Sequence, residues 1–169
     1  QEASLWANAL SSLSELKGKP ELESSTSWQA AYLAAMTACA RSGKREEVRT
    51  LLGELRTRGC LDGNHWNCLI VVCGRDYKAA HEVFEEMQRE GFPPRLSDWK
   101  ALLGTMRDLG EQRRVYEQAM ESLGPRADRG ELWAVLLRTA VHLEDHDGIN
   151  WVLDRMREHG VDPVSDDAK

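Results

Sequence analysis

The chain has 169 residues, 41% hydrophobic and 30% charged, enough for one compact domain or one short repeat array with an apolar core. Its net charge of −6 argues against indiscriminate binding to nucleic acid, because affinity for phosphate rests on Lys and Arg, although a local basic stripe is still allowed. No apolar run is long enough to cross a bilayer, no signal peptide or Arg-rich presequence is visible, and the cysteines Cys39, Cys60, Cys68 and Cys73 form no CxxC pair and read as reduced thiols of a reducing compartment.

In chain order, Trp6-Ala9-Leu10-Leu13 comes first, an aromatic followed by apolar residues at offsets of three, four and seven. Those offsets share one face of a helix. Residues 1–26 read as a partial N-terminal repeat and linker, with a turn at Gly18-Lys19-Pro20 and a polar stretch from Glu21 to Ser25. Ser27 is the expected N-cap of the next helix. The same offsets then recur in Tyr32-Ala35-Met36-Cys39, Trp66-Leu69-Ile70-Cys73, Trp99-Leu102-Leu103-Met106 and Trp133-Leu136-Leu137-Ala140, with the aromatics 34, 33 and 34 residues apart. A second series lies between them: Val48-Leu51-Leu52-Leu55, Ala80-Val83-Phe84-Met87, Tyr116-Ala119-Met120-Leu123 and Ile149-Val152-Leu153-Met156. Each unit therefore holds a first and a second amphipathic helix.

Glycines punctuate the units. Gly43 and Gly110 stand 11 residues after their aromatics, where a C-cap would stop the first helix, and a shorter turn at Gly74-Arg75-Asp76 follows Trp66. Second helices end at Gly59, Gly91 and Gly160, and Gly91-Phe92-Pro93-Pro94 and Gly160-Val161-Asp162-Pro163 break the chain before a next unit. An irregular joint with Pro125 and Asp128 spans Gly124 to Gly130. The expected organisation is all-α: residues 27–169 form an α-solenoid of four helix-pair repeats at about 27–62, 63–95, 96–129 and 130–164, with a short polar tail. One helix pair cannot bury its own apolar stripe, so neighbours bury it jointly around a concave inner face. Each anchor contributes roughly 1.5–3 kcal/mol on burial. Core packing is expected for all the tryptophans but Trp151, which lies outside the anchor pattern.

Little in the chain suggests chemistry. His142 and His146 have the spacing for a shared metal, beside Glu144, Asp145 and Asp147, but they straddle a turn and no HExxH motif occurs. Cys68 and Cys73 lack a companion cluster and read as buried. No phosphate loop, nucleophile elbow or paired catalytic carboxylate is present, so neither enzyme activity nor a cofactor is expected.

Two repeat families share the period. The tetratricopeptide pattern needs a small residue four after the aromatic, where this chain has Met36, Ile70, Leu103 and Leu137. Over about residues 27–164 the chain instead resembles the pentatricopeptide-repeat family. The resemblance is carried by Trp66-Asn67-Cys68-Leu69-Ile70, by Phe84-Glu85-Glu86-Met87-Gln88-Arg89-Glu90-Gly91-Phe92-Pro93-Pro94, and by Leu153-Asp154-Arg155-Met156-Arg157-Glu158-His159-Gly160-Val161-Asp162-Pro163. It implies a right-handed α-solenoid of about four and a half repeats, each contacting one RNA base through the residue after the aromatic and the last residue of the unit. Those positions are Leu33 with Asp62, Asn67 with Arg95, Lys100 with a residue of the Arg126 to Arg129 joint, and Ala134 with Val164. Leu33 and Ala134 have no hydrogen-bonding side chain. The positions two before the aromatics, which sandwich bases in the family, are Ala30, Asn64, Ser97 and Glu131, and Glu131 would repel phosphate. Arg41 and Arg75, nine residues after their aromatics, add cations, as do Lys100 and Arg138, whereas Asp108 and His142 interrupt the stripe.

By resemblance, then, the chain is a non-catalytic RNA-binding protein of an organelle, the mitochondrion or plastid, acting in RNA metabolism or translation. The alternative is an architectural subunit of a large organellar assembly, such as a ribosome or membrane-complex particle, that holds protein through the solenoid. The implied partners are single-stranded RNA or a ribonucleoprotein or protein assembly. Membrane insertion and a small-molecule substrate are not expected.

Overall fold

The computed structural model describes residues 2–18, 25–124 and 129–161, and among these it contains helices and no strand. The helices are α1 (Glu2–Lys17), α2 (Ser25–Arg41), α3 (Arg45–Thr57), α4 (Gly63–Val72), α5 (Tyr77–Arg89), α6 (Leu96–Thr105), α7 (Leu109–Leu123), α8 (Gly130–His142) and α9 (His146–Glu158). None of them is long and apolar enough to cross a membrane. The fold is all-α, as the helical periodicity implies. The expected features at Lys19, Pro20, Glu21, Pro125, Arg126, Asp128, Asp162, Pro163 and Val164 lie outside the described residues.

Contacts gather the chain into two compact units, Gln1–Thr105 and Met106–Lys169, so the division falls just after the first helix of the third repeat. In the N-terminal unit the first helices α2, α4 and α6 lie side by side, with α4 in the middle. Second helix α3 packs on α2 and α4, α5 packs on α4 and α6, and α1 packs on α2. Every anchor of α2 to α6 is buried, from Tyr32, Met36 and Cys39 through Leu52, Trp66 and Ile70 to Phe84, Met87, Trp99 and Leu103. In the C-terminal unit α8 packs between α7 and α9. Trp133, Leu136, Tyr116 and Val152 are buried there, but Leu137, Met120, Leu123, Ile149, Leu153 and Met156 are only partly so. Among the described residues no further helix follows α9 to cover that face. Trp66, Trp99 and Trp133 take the core positions expected of them. Trp6 and Trp28 do not: both are partly buried, and a cation covers each, Lys44 at 4.5 Å from the ring centre of Trp6 and Arg58 at 4.6 Å from that of Trp28.

The turns follow the glycine pattern with two corrections. After α3, α5 and α9, the glycines Gly59, Gly91 and Gly160 adopt φ of +67°, +85° and +73°. The next amide in each case donates back five residues, Cys60 to Leu55, Phe92 to Met87 and Val161 to Met156. Gly110, by contrast, is no C-cap. It lies in the first turn of α7, because α6 has ended at Thr105 and the Asp108 carboxylate accepts from Glu111 N–H at 2.8 Å and starts the next helix. Ser27 is likewise inside α2, which begins two residues earlier at Ser25. Two other second helices share this Asp N-cap, Asp76 taking Ala79 N–H and Asp145 taking Gly148 N–H, whereas α3 starts after Lys44 with no side-chain cap. Gly148 also packs closely, since a Cβ there would meet the side chains of Leu109 of α7 and of Asp145 and force them to shift.

At the end of α2, Gly43 occupies the left-handed turn, with Lys44 N–H donating to Cys39 O at 2.9 Å. At the end of α8 the same turn is made by Glu144 at φ +53°, with Asp145 N–H donating to Ala140 O at 2.9 Å. A residue with a Cβ is strained in this region by about 1–2 kcal/mol. Glu144→Gly should therefore stabilise the chain by about 1 kcal/mol, after the extra freedom of glycine in the unfolded state is subtracted. A urea melt that showed no gain, or a loss, would contradict this reading of the turn.

One ionic cluster holds α1. Glu54 of α3 accepts from Lys17 Nζ at 2.5 Å and from the Tyr32 hydroxyl at 2.6 Å. Burial alone would raise the Glu54 carboxyl, but the hydrogen bonds from Lys17 and Tyr32 outweigh it and hold the group below the usual carboxylate range. A lowered folded-state value contributes stability that is present above the ordinary glutamate pKa and is lost as pH falls through the folded one. The stability difference between the native chain and Glu54→Gln should thus shrink on acidification from about pH 5 to about pH 3. Denaturant midpoints across that window measure it.

Candidate nucleic-acid interface

Carboxylates in the N-terminal unit are sorted by helix class. The first helices α2 and α4 contain no Asp or Glu, and the single carboxylate of α6, Asp98, is fully buried. The second helices carry Glu46, Glu47 and Glu54 on α3 and Glu82, Glu85 and Glu86 on α5. Apolar anchors fix this sorting. They turn one face of each first helix into the core and leave the face holding the positions two before and one after the aromatic toward solvent. Ala30, Asn64 and Ser97 are exposed there, as are Lys100 on α6, Arg41 at the end of α2, Arg75 in the turn after α4 and Arg95 before α6. Leu33 and Asn67 are partly buried on the same face. In the C-terminal unit, α8 presents Glu131, Ala134 and Arg138, a surface of mixed sign.

The structure also shows what several of these side chains already hold. Asp62 is the N-cap of α4, its carboxylate accepting from Asn64 N–H at 2.7 Å and from His65 N–H at 3.3 Å. Asn67 donates through Nδ2 to Asp98 Oδ1 at 2.8 Å. The other oxygen of Asp98 accepts from Arg95 N–H at 2.9 Å and from Arg95 Nε at 3.3 Å, and Arg95 Nη1 donates to Asn64 Oδ1 at 2.9 Å. The guanidinium lies against the Gly63 backbone, 3.2 Å from where a Cβ would stand. Asn67 and Arg95 are therefore brought together, through Asp98 and Asn64, into a network that staples α6 to α4. A carboxylate can only accept, so Asn67 must turn its amide NH2 toward α6. Asp62 and Asn67 are separate from each other in this arrangement, Leu33 contributes apolar surface, and Ala134 belongs to the other unit.

Asp98 and His65 escaped the sequence reading. Each immediately precedes an aromatic anchor, and each is completely buried. Nδ1 of His65 accepts from Asp62 N–H at 3.1 Å, with the Asp62 carboxylate 2.9 Å away, while Nε2 donates to the Gln29 carbonyl of α2 at 3.1 Å. The signal available in sequence is spacing. Both residues stand three after the residue that starts their helix, Asp62 and Arg95, which is the position from which a side chain reaches back to a free N–H.

All four cysteines are buried and free, and burial pushes the thiols of Cys39, Cys68 and Cys73 above the ordinary range, which makes them poor nucleophiles and ligands. His142 closes α8 and His146 opens α9, and among the described residues no group of three or more His, Cys, Asp or Glu is placed to hold a metal.

Removing Asp98 leaves the Asn67 amide and the Arg95 N–H without their acceptor. Asp98→Ala should cost about 2–4 kcal/mol, whereas Lys100→Ala on the same helix should cost under about 0.5 kcal/mol. Urea unfolding of the two variants compares them, and equal midpoints would remove the network from the account of the α4–α6 joint.

Two family models match the chain. The pentatricopeptide repeat domain covers residues 50–108, and the PPR repeat covers residues 30–60. Comparison with curated proteins gives no match. The matched stretch runs from within α2 to the end of the α6–α7 turn and contains the whole stapled joint. With their helix pairs, glycine turns and aromatic anchors in this register, residues 30–108 are pentatricopeptide repeats.

Proposed function

We propose that the N-terminal unit binds single-stranded RNA along the exposed face of α2, α4 and α6, gripping the phosphate backbone more than it reads base identity. The observation that carries this reading is that α2, α4 and α6 themselves expose no carboxylate, in a chain whose net charge is −6. Arg41, Arg75, Arg95 and Lys100 supply cations to it. Weak base readout follows from the neighbours: Leu33 cannot hydrogen-bond, Asp62 is occupied as a helix cap, and the Asn67 amide is oriented by Asp98. The mixed charge of α8, with Glu131 on its exposed face, favours a binding surface in the N-terminal unit. We further propose a non-catalytic role in RNA metabolism or translation inside an organelle, which rests on the family alone.

Each phosphate contact adds about 0.7 to the logarithmic salt slope for a single strand. If Arg41, Arg75 and Lys100 each engage one phosphate, affinity should fall about 20-fold between about 50 and 200 mM salt. The triple variant Arg41→Ala, Arg75→Ala, Lys100→Ala should bind more weakly at low salt and lose most of that slope. Fluorescence anisotropy with a random-sequence RNA pool measures both. Absence of binding at low salt, or an unchanged slope in the triple variant, sinks the proposal.

A further inference from the structure

The second helices form their own row, and its two seams in the N-terminal unit are built differently. Between α3 and α5 a ladder of ion pairs closes the seam: Arg45 with Asp76 at 3.3 Å, Arg49 with Glu86 at 3.6 Å, and Arg56 with Glu86 and Glu90 at 3.2 and 2.5 Å. Aligning Trp6-Ala9-Leu10-Leu13 with Val48-Leu51-Leu52-Leu55 sets Ala7 and Ser14 of α1 at the register of Arg49 and Arg56. The α1–α3 seam thus lacks those arginines. In their place is an open groove of about 440 Å³ with a floor of Leu10, Leu13 and Leu51.

The walls of this groove are acidic. Glu46 and Glu47 line it, and among the described residues neither side chain makes an ion pair or hydrogen bond. The Lys17–Glu54 pair stands at one end, and Lys44 covers Trp6 toward the other. From Glu46 to Glu54 the helical rise spans about 12 Å, the length of two helical turns. Leu10 remains partly exposed on the floor.

We propose that the groove between α1 and α3 docks a basic amphipathic peptide segment of a partner protein. An apolar side chain of the segment would rest on Leu10, above the buried Leu13 and Leu51, and a Lys or Arg would meet Glu46 and Glu47. The segment supplies from outside the cations that α3 supplies to α5 from inside. Charge disfavours the competing occupants: the phosphates of RNA and of an acidic lipid surface are repelled by the unpaired Glu46 and Glu47. Glu46 and Glu47 also stand in the first turn of α3, where carboxylates favour the helix, so the test must separate binding from helix stability.

The test is an amide NMR titration of the full chain with a synthetic peptide of about twelve residues, long enough to cover the groove. Leucines recur in it every third or fourth position, and arginines fill the remainder. A second peptide replaces each arginine by glutamate. The arginine peptide should give saturable shifts centred on Leu10, Leu13, Thr50 and Leu51, and the glutamate peptide none. Glu46→Gln with Glu47→Gln should weaken the first peptide about tenfold while the chain stays folded by urea melt. Glu46→Lys with Glu47→Lys should exchange the preference, so that the glutamate peptide now binds. The proposal is overturned by shifts that fall on α2, α4 and α6, by equal binding of both peptides, by retained arginine-peptide affinity in the lysine variant, or by no saturable shift at millimolar peptide.

Discussion

α4 is ten residues long, carries no charged side chain and is too short to persist as a helix by itself. It exists because α2, α3, α5 and α6 all pack against it. His65, Trp66, Cys68, Leu69, Ile70 and Val72 are all buried in consequence. The rest of the N-terminal unit is arranged around this demand for cover. A first helix so apolar can end in water only at a few positions, and Asn64, Asn67 and Val71 are the ones left over. The surface offered to a ligand is therefore a residue of the packing requirement, made of whatever the core does not take.

Polar groups at the same joint act in a different currency. The apolar anchors would tolerate some sliding of one helix along its neighbour, because dispersion and burial are non-directional. Hydrogen bonds from His65 to the Gln29 carbonyl and from Asn67 to Asp98 are directional and sit at the start of successive first helices. They fix the axial register of α4 on α2 and of α6 on α4. Exposed cations such as Lys100 inherit their placement from that register.

The aromatic period made the helix pairs and nearly all anchors of α2 to α6 legible in the sequence, since burial imposes a 3.6-residue rhythm that survives in residue type. Helix ends were less legible. Gly110 has the residue type of a C-cap but follows Asp108, whose side chain captures the Glu111 amide first, and local capping overrides glycine spacing. Trp28 and Trp6 have the residue type of core anchors but are covered by Arg58 and Lys44, so identity alone overstated their burial. The candidate interface was half legible. The positions of Lys100, Arg41 and Arg75 followed from the aromatics. The engagement of Asn67 and Arg95 by Asp98 did not, because it depends on two helices lying side by side, and no single segment records that.

Keeping exposed carboxylates off the first helices shapes how a polyanion would approach the N-terminal unit. The carboxylates of α3 and α5 are largely offset by Arg45, Arg49, Arg56, Lys78 and Arg89 on the same helices, so the bias is local and not a large dipole. It acts only within a Debye length, about 8 Å at physiological ionic strength. At that distance a polyanion meets least repulsion where α2, α4 and α6 face it. Any encounter with nucleic acid would therefore be selected by orientation at close range, not by steering from afar.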